Sequence, residues 1–353
     1  MSYFYYNKDL SYTTIKINNK ERKYIMTGTI YKHQKYVKLL FCFPGGDETA
    51  IQFIQYTNLY KCGVLCVVFE GQSSKNGQTF INAYPWFGNA PLNDVEFVEK
   101  VFEKIPKTLK FEYKNNIEYK TVDIFKHYLF LTGKSDGCGF SIYLTKENER
   151  RKKLPIKSLF LVSSALFCLD NTKHYGNEIN KNLLSFSIPT ILLHGTSDTT
   201  MPYNGQNFTN QIAASNNIDY WKSIDNNIER KCINEKCSNP TNIITNTYTA
   251  DIPAFVNNWN KDYKYQLKII NYSIKSLLYY KNKHYFLFIP IVHGTHVWFG
   301  HQNSGPNANN EANLVLDATD LLCKILDIPL ASYQPSVKTN IDTIPILSPQ
   351  LLL

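Results

Sequence analysis

The sequence predicts an α/β protein built on a mostly parallel, doubly wound sheet with helices on both faces. Two observations predict it. Short apolar runs that read as strands buried on both faces recur along the chain, and amphipathic stretches of helical period lie between them. Each of several runs also ends in a cluster of glycine and polar residues, as strands do where they deliver chemistry at the carboxyl edge of an open sheet.

The elements follow in order. TTIKIN and RKYIMTGTI form an opening pair of strands. YVKLLFCF (36–43), GVLCVVFE (63–70), HYLFLTG (127–133), KSLFLVSS (157–164), PTILLHG (189–195) and YFLFIPIV (285–292) supply the apolar runs. DVEFVEKVFEKI carries Val98, Val101, Phe102 and Ile105 at helical spacing, and EANLVLDATDLLCKIL repeats the stripe with Leu314, Ala318, Leu321 and Ile325. This alternation of strand and helix is the pattern of a doubly wound sheet. Residues 206 to about 250, rich in Asn, Ser, Thr and Lys, break the rhythm and read as an insertion. The last stretch, 329–353, holds four prolines without periodicity and reads as an extended tail.

Composition narrows the function. With 43% hydrophobic and 19% charged residues over 353 positions, the chain can bury a large core, which excludes disordered and fibrous classes. The net charge of +9 is scattered among Asn, Tyr and Asp, and ENERRKK (147–153) reads as a solvated loop, so no nucleic-acid partner is expected. The first residues lack the basic start and apolar stretch of a secretory signal, and no run spans a bilayer. The expectation is a protein without a membrane partner, cytoplasmic or otherwise intracellular rather than secreted. Six of the eight cysteines sit in apolar segments, where a thiol packs as a small hydrophobe. Cys232 and Cys237, in the polar RKCINEKCSN, fit a disulfide loop, half of a zinc site or a pair of unlinked thiols.

Four strand ends carry the chemistry: PGGDETA after the 36–43 run, KSDGCGF after 127–133, TSDTTMPYNG after 189–195 and HGTHVWFG after 285–292. They supply backbone donors, a serine, an aspartate and histidines. Acyl transfer needs these parts: a serine is a weak nucleophile until a histidine takes its proton, the histidine needs a carboxylate to fix its tautomer, and the oxyanion needs N–H donors. The order Ser135, Asp198, His296 is that of an α/β-hydrolase fold. Asp170 is the rival acid and His293 the rival base. H-x-x-H plus His301 lacks the carboxylate and the helix of a zinc protease motif, so no metal is expected.

With these residues in view, the chain resembles the α/β-hydrolase esterases of the poly(3-hydroxybutyrate) depolymerase group and its feruloyl and acetylxylan esterase relatives. The resemblance runs from residue 22 to about 328 without the insertion. It is carried by RKYIM, FPGGDETA, YPWFGNAPLNDVEFVEKV, GKSDGCGFS, IPTILLHGTSDTTMPYNG, FVNNWNKDY and HGTHVWFG. It implies a serine ester hydrolase over residues 1–328 with Ser135 as nucleophile, Asp198 as acid and His296 as base, needing no cofactor and acting on a small-molecule or polymer ester. The Gly46 and Asp136 N–H groups would form the oxyanion hole, and Trp86, Phe87 and Trp298 are candidates for an acyl pocket. Pro44 stands where the family has histidine, and Cys138 where it has a second glycine. A catalytically retired relative and a peptidase or thioesterase with the same triad are the alternatives.

Overall fold

The computed structural model describes residues 3–73, 79–80, 94–113, 118–164, 188–201, 203, 205–206, 221–222, 241–242, 247–248, 272–273, 277–281, 284–305, 307–314 and 316–335. Its strands of four or more residues are β1 (Tyr3–Tyr6), β2 (Tyr12–Ile17), β3 (Lys20–Tyr31), β4 (Tyr36–Phe43), β5 (Val64–Phe69), β6 (Thr108–Tyr113), β7 (Glu118–Lys134), β8 (Ile156–Val162), β9 (Thr190–Gly195), β10 (Leu277–Lys281) and β11 (His284–Ile291). β5, β4, β7, β8, β9 and β11 lie side by side in that order and all run parallel. β3 extends the sheet antiparallel to β5, with β2 folded back on β3. The β2–β3 turn has Asn18 and Asn19 at φ 48° and 62°, the positive values that a two-residue hairpin turn demands and that asparagine tolerates. At the other edge β10 pairs antiparallel with β11.

The expected doubly wound sheet is corrected at its amino-terminal end. β1 pairs with both β3 and β6, and β6 pairs with the first half of β7, so β7, β4, β5, β3, β1 and β6 close into a ring. β7 makes this closure because its 17 residues are two strands in one. Glu118–Asp123 pair antiparallel with β6, and from Lys120 to Phe125 buried or half-buried side chains alternate with exposed ones. Leu129–Lys134 are buried throughout and pair in parallel with β8. A register shift on β4 between Lys38 and Leu39 accommodates the change.

Among the described residues four α-helices cover the parallel strands: α1 (Ala50–Thr57), α2 (Asp94–Lys104), α3 (Asp136–Arg151) and α4 (Ala318–Ile325). Successive strand residues point to opposite faces, and the core divides accordingly. Leu39, Phe41, Phe43, Leu129, Leu131 and Leu161 pack on one face with Phe97, Val98 and Val101 of α2 and Phe140 and Leu144 of α3. Leu40, Cys42, Phe130, Phe160, Val162 and Leu193 pack on the other with Phe53 and Ile54 of α1 and Leu321, Leu322 and Ile325 of α4. Each such side chain removed from water contributes roughly 1.5–3 kcal/mol before conformational entropy is set against it.

Thr49 and Gln52 form a reciprocal capping box that starts α1. The stripe EANLVLDATDLLCKIL, expected as one helix, divides into a 3-10 turn at Glu311–Leu314 and α4, which Asp317 caps through the Asp320 N–H at 2.9 Å. Beyond α4, Tyr333 is buried and its N–H donates to Lys61 O at 3.1 Å. Among the described residues no helix is long and apolar enough to cross a membrane.

Candidate active site

The turn from β7 into α3 puts Ser135 between a buried parallel strand and a helix N-terminus. Its backbone lies at φ 52°, ψ −119°. That conformation costs a non-glycine residue about 1–3 kcal/mol, and such strain clusters at functional sites. Gly137 permits the turn: a Cβ there would stand 2.0 Å from Phe43 O and 2.5 Å from Pro44 O. Cys138, which follows Gly137, is accommodated behind the turn. Its fully buried Sγ contacts Gly133 O at 2.9 Å and accepts the Val162 N–H at 3.2 Å. Burial pushes this thiol well above its ordinary range, so it stays protonated.

The loop after β4 lies against this turn. A Cβ on Gly45 would be 3.4 Å from Ser135 Cβ, and one on Gly46 would be 2.7 Å from Asp136 Oδ2. The Gly45 N–H donates to Glu48 Oε2 at 3.0 Å. The N–H groups of Gly46 and Asp136 have no protein acceptor among the described residues. Asp136 is the first residue of α3, where helix N–H groups are unpaired and the dipole favours negative charge.

The other half of the site joins the ends of β9 and β11. Ile291 O accepts the N–H of Thr196 at 2.9 Å, and Gly294 O accepts that of Ser197 at 2.9 Å. The loops approach so closely that a Cβ on Gly195 would be 2.2 Å from Gly294 O. On this frame Asp198 Oδ1 accepts the N–H of Thr200 at 2.9 Å and of Met201 at 2.8 Å. Its Oδ2 accepts from His296 Nδ1 at 2.7 Å. Asp198 and His296 are 3% and 7% exposed. With Nδ1 carrying the proton toward the carboxylate, Nε2 is the free base of the ring.

Met201 links the two halves. Its N–H binds Asp198 and its Sδ lies 4.0 Å from Ser135 Oγ. The serine hydroxyl and His296 are not hydrogen-bonded to each other here; contacts of this kind tighten in the reacting complex. Burial draws His194 down to about 4, with the His296 ring adding to the effect and Asp198 opposing it. It is therefore neutral at pH 7 and donates from Nε2 to Met201 O at 2.9 Å. Asp136 is pushed up to about 6 by burial and by the Asp47 and Glu48 carboxylates, against the pull of His296.

The remaining candidates fall elsewhere. His293 is exposed, and its main-chain N–H donates to Thr196 Oγ1 at 2.9 Å. His301 is buried beside Asp317 Oδ1 at 3.2 Å and the Tyr333 hydroxyl at 3.0 Å. Trp298 corrects the pocket expectation: it is fully buried in the core, edge-on to Phe53 at 5.6 Å, with its Nε1–H donating to Thr319 Oγ1 at 3.0 Å. A tryptophan whose ring and donor are both satisfied inside the protein offers no surface to an acyl chain. Trp86, Phe87, Asp170, Cys232 and Cys237 lie outside the described residues. Among the described residues no group of three or more His, Cys, Asp or Glu side chains is placed to hold a metal. Sequence reasoning missed Glu48 and Lys134, which form an ion pair beside the serine. The available signal was a lysine inside an apolar strand end, which requires a partner.

No family model matches the chain, and no curated protein does. Among solved structures it is similar to a fungal esterase from Rhizomucor miehei at 13% identity, covering 53% of this chain and 65% of that one with a TM-score of 0.36. A thermostable esterase from Pseudomonas putida is similar at 11% identity, 53% and 64% coverage and a TM-score of 0.35. Thermogutta terrifontis esterase 2 is similar at 12% identity, 89% and 93% coverage and a TM-score of 0.45. The chain thus spans about two thirds of the length of the first two, at 65% and 64%. With these scores the assignment of roles rests on the geometry of the chain itself.

Proposed function

We propose that this protein is a serine carboxylic ester hydrolase of the α/β-hydrolase type. The observation that carries the reading is the buried Asp198–His296 hydrogen bond of 2.7 Å, set through Met201 against a serine held in a strained strand-to-helix turn. Strand order supports it as well, because all the parts stand at the carboxyl edge of the parallel strands.

In this mechanism Ser135 Oγ attacks the ester carbonyl carbon as His296 Nε2 takes the hydroxyl proton. Asp198 holds the imidazole in the required tautomer and stabilises the imidazolium. Its other oxygen is already committed to two backbone N–H groups, which fix the carboxylate in place. The carbonyl oxygen, now an oxyanion, receives hydrogen bonds from the N–H groups of Gly46 and Asp136. His296 returns its proton to the alcohol oxygen as the C–O bond breaks. Water, deprotonated by the same nitrogen, then releases the acid from Ser135. The substrate is a small-molecule or polymer ester, of the polyhydroxybutyrate, feruloyl or acetyl kind.

The test is hydrolysis of short p-nitrophenyl esters combined with fluorophosphonate labelling. The wild type should turn over and label at one site, and Ser135→Ala should lose labelling and about 10³-fold or more of kcat. A folded wild type that neither hydrolyses nor labels refutes the enzyme reading in favour of a retired hydrolase.

A further inference from the structure

Glu48 and Lys134 take no part in the mechanism above, yet they join its pieces. Glu48 Oε2 accepts the Gly45 N–H at 3.0 Å and the Tyr56 hydroxyl at 2.7 Å, and Oε1 is ion-paired with Lys134 Nζ. Lys134 directly precedes Ser135, and its side chain is 4% exposed. The same Nζ lies 3.4 Å from where a Cβ on Gly305 would stand, a position itself 2.3 Å from His296 O. One largely buried ion pair therefore joins the loop after β4 to the serine turn, with its lysine beside the segment packed on the histidine backbone.

The loop geometry gives this contact a consequence. The Glu48 N–H donates to Gly45 O at 3.4 Å while its side chain receives the Gly45 N–H, so Gly45 is held at both ends by one residue. The Gly45 carbonyl and the Gly46 N–H belong to a single planar trans peptide and point in opposite directions. The Glu48 main-chain N–H fixes that carbonyl and with it the Gly46 amide, while the Glu48 carboxylate fixes the preceding peptide through the Gly45 N–H and removes it as a competing donor. A carboxylate so near a developing negative charge would oppose it; Lys134 neutralises that charge. Buried ion pairs contribute little net stability and are best attested as devices that select one geometry.

We propose that Glu48 is a positioning residue for the oxyanion site, with Lys134 as its charge partner: its carboxylate anchors the Pro44–Gly45 peptide, on which the neighbouring peptide that carries the Gly46 N–H is hinged. The proposal rests on the esterase reading.

The experiment compares wild type, Glu48→Ala and Glu48→Gln on p-nitrophenyl acetate, with circular dichroism to establish folding. Loss of one aligned oxyanion donor typically lowers kcat by about 10²–10³. Glu48→Ala should show a fall of that order with KM changed less than about threefold, because the donor acts mainly on the transition state. Glu48→Gln keeps an oxygen for the Gly45 N–H and should recover kcat to within about tenfold of wild type. A second measurement serves if Glu48→Ala does not fold. In ¹⁵N-glycine-labelled protein the Gly45 amide proton, bonded to a carboxylate, should move upfield in Glu48→Gln, where the acceptor is neutral and the bond weaker. A folded, fully active Glu48→Ala, or a Gly45 signal indifferent to Glu48→Gln, overturns the role of Glu48 alone. A wild type inert toward every ester overturns the esterase reading itself.

Discussion

Asp136→Asn should make the protein more resistant to alkaline pH, and the size of the effect can be worked from the surroundings of the side chain. Burial among the loop after β4, helped by Asp47 and Glu48, lifts the carboxyl from 3.8 to about 6 in the folded protein. In the unfolded chain it ionises at its ordinary value, so between these two values the folded state holds a proton that the unfolded state has released. Stability from this group is therefore fully present below about pH 4 and is lost as pH rises through about 6. A difference of about two pH units corresponds to roughly 3 kcal/mol at full size. The residue is only partly buried by area, so screening on its open side brings the expectation nearer 1–2 kcal/mol, taken as roughly half the full figure. Asparagine cannot ionise and escapes the cost. Urea denaturation of both proteins at pH 4.5 and pH 8 measures it: the stability of the variant relative to wild type should rise by about 1–2 kcal/mol between the two. Parallel stability–pH curves for the two proteins would refute the argument.

Two further outcomes follow from the same geometry. Asp198→Asn presents either an amide N–H to His296 or a misplaced oxygen, so kcat on p-nitrophenyl esters should fall by about 10²–10⁴ with little change in KM; a loss below tenfold would count against the triad. Trp298→Ala should cost about 3–5 kcal/mol in urea unfolding, from the cavity and the lost hydrogen bond to Thr319 Oγ1, whose hydroxyl still donates to Thr57 O. Trp298→Phe should leave the preference among acyl chain lengths unchanged, and an altered preference would return the ring to the pocket.

Several features were legible locally because their causes are local. The runs at 37–43, 64–69 and 159–162 are apolar at nearly every position, and strands buried on both faces cannot look otherwise. Glycines at 137 and 195 mark close backbone approaches, which the structure realises against Phe43 O and Gly294 O. Asp198 and His296 stand out as polar residues just beyond apolar strands. That His296 rather than His293 meets the carboxylate is not decided locally. His293 and His296 share one short loop, and only the way that loop docks on Thr196 and Ser197 turns His293 outward and brings His296 to the carboxylate.

What the sequence alone determined is the set of buried parallel strands and the order in which their ends deliver serine, aspartate and histidine, since these depend on residue type and spacing over a few positions. The tertiary structure decided what depends on partners distant in the chain. The mixed ring closes through β6 and the polar half of β7, whose alternating pattern says that one face is buried but not against which strand. Trp298 is core rather than pocket because Phe53 and Thr319 reach it from other elements. Glu48 meets Lys134 across 86 residues of sequence, and no local pattern records a carboxylate whose meaning lies in the amide and the ammonium that folding brings to it.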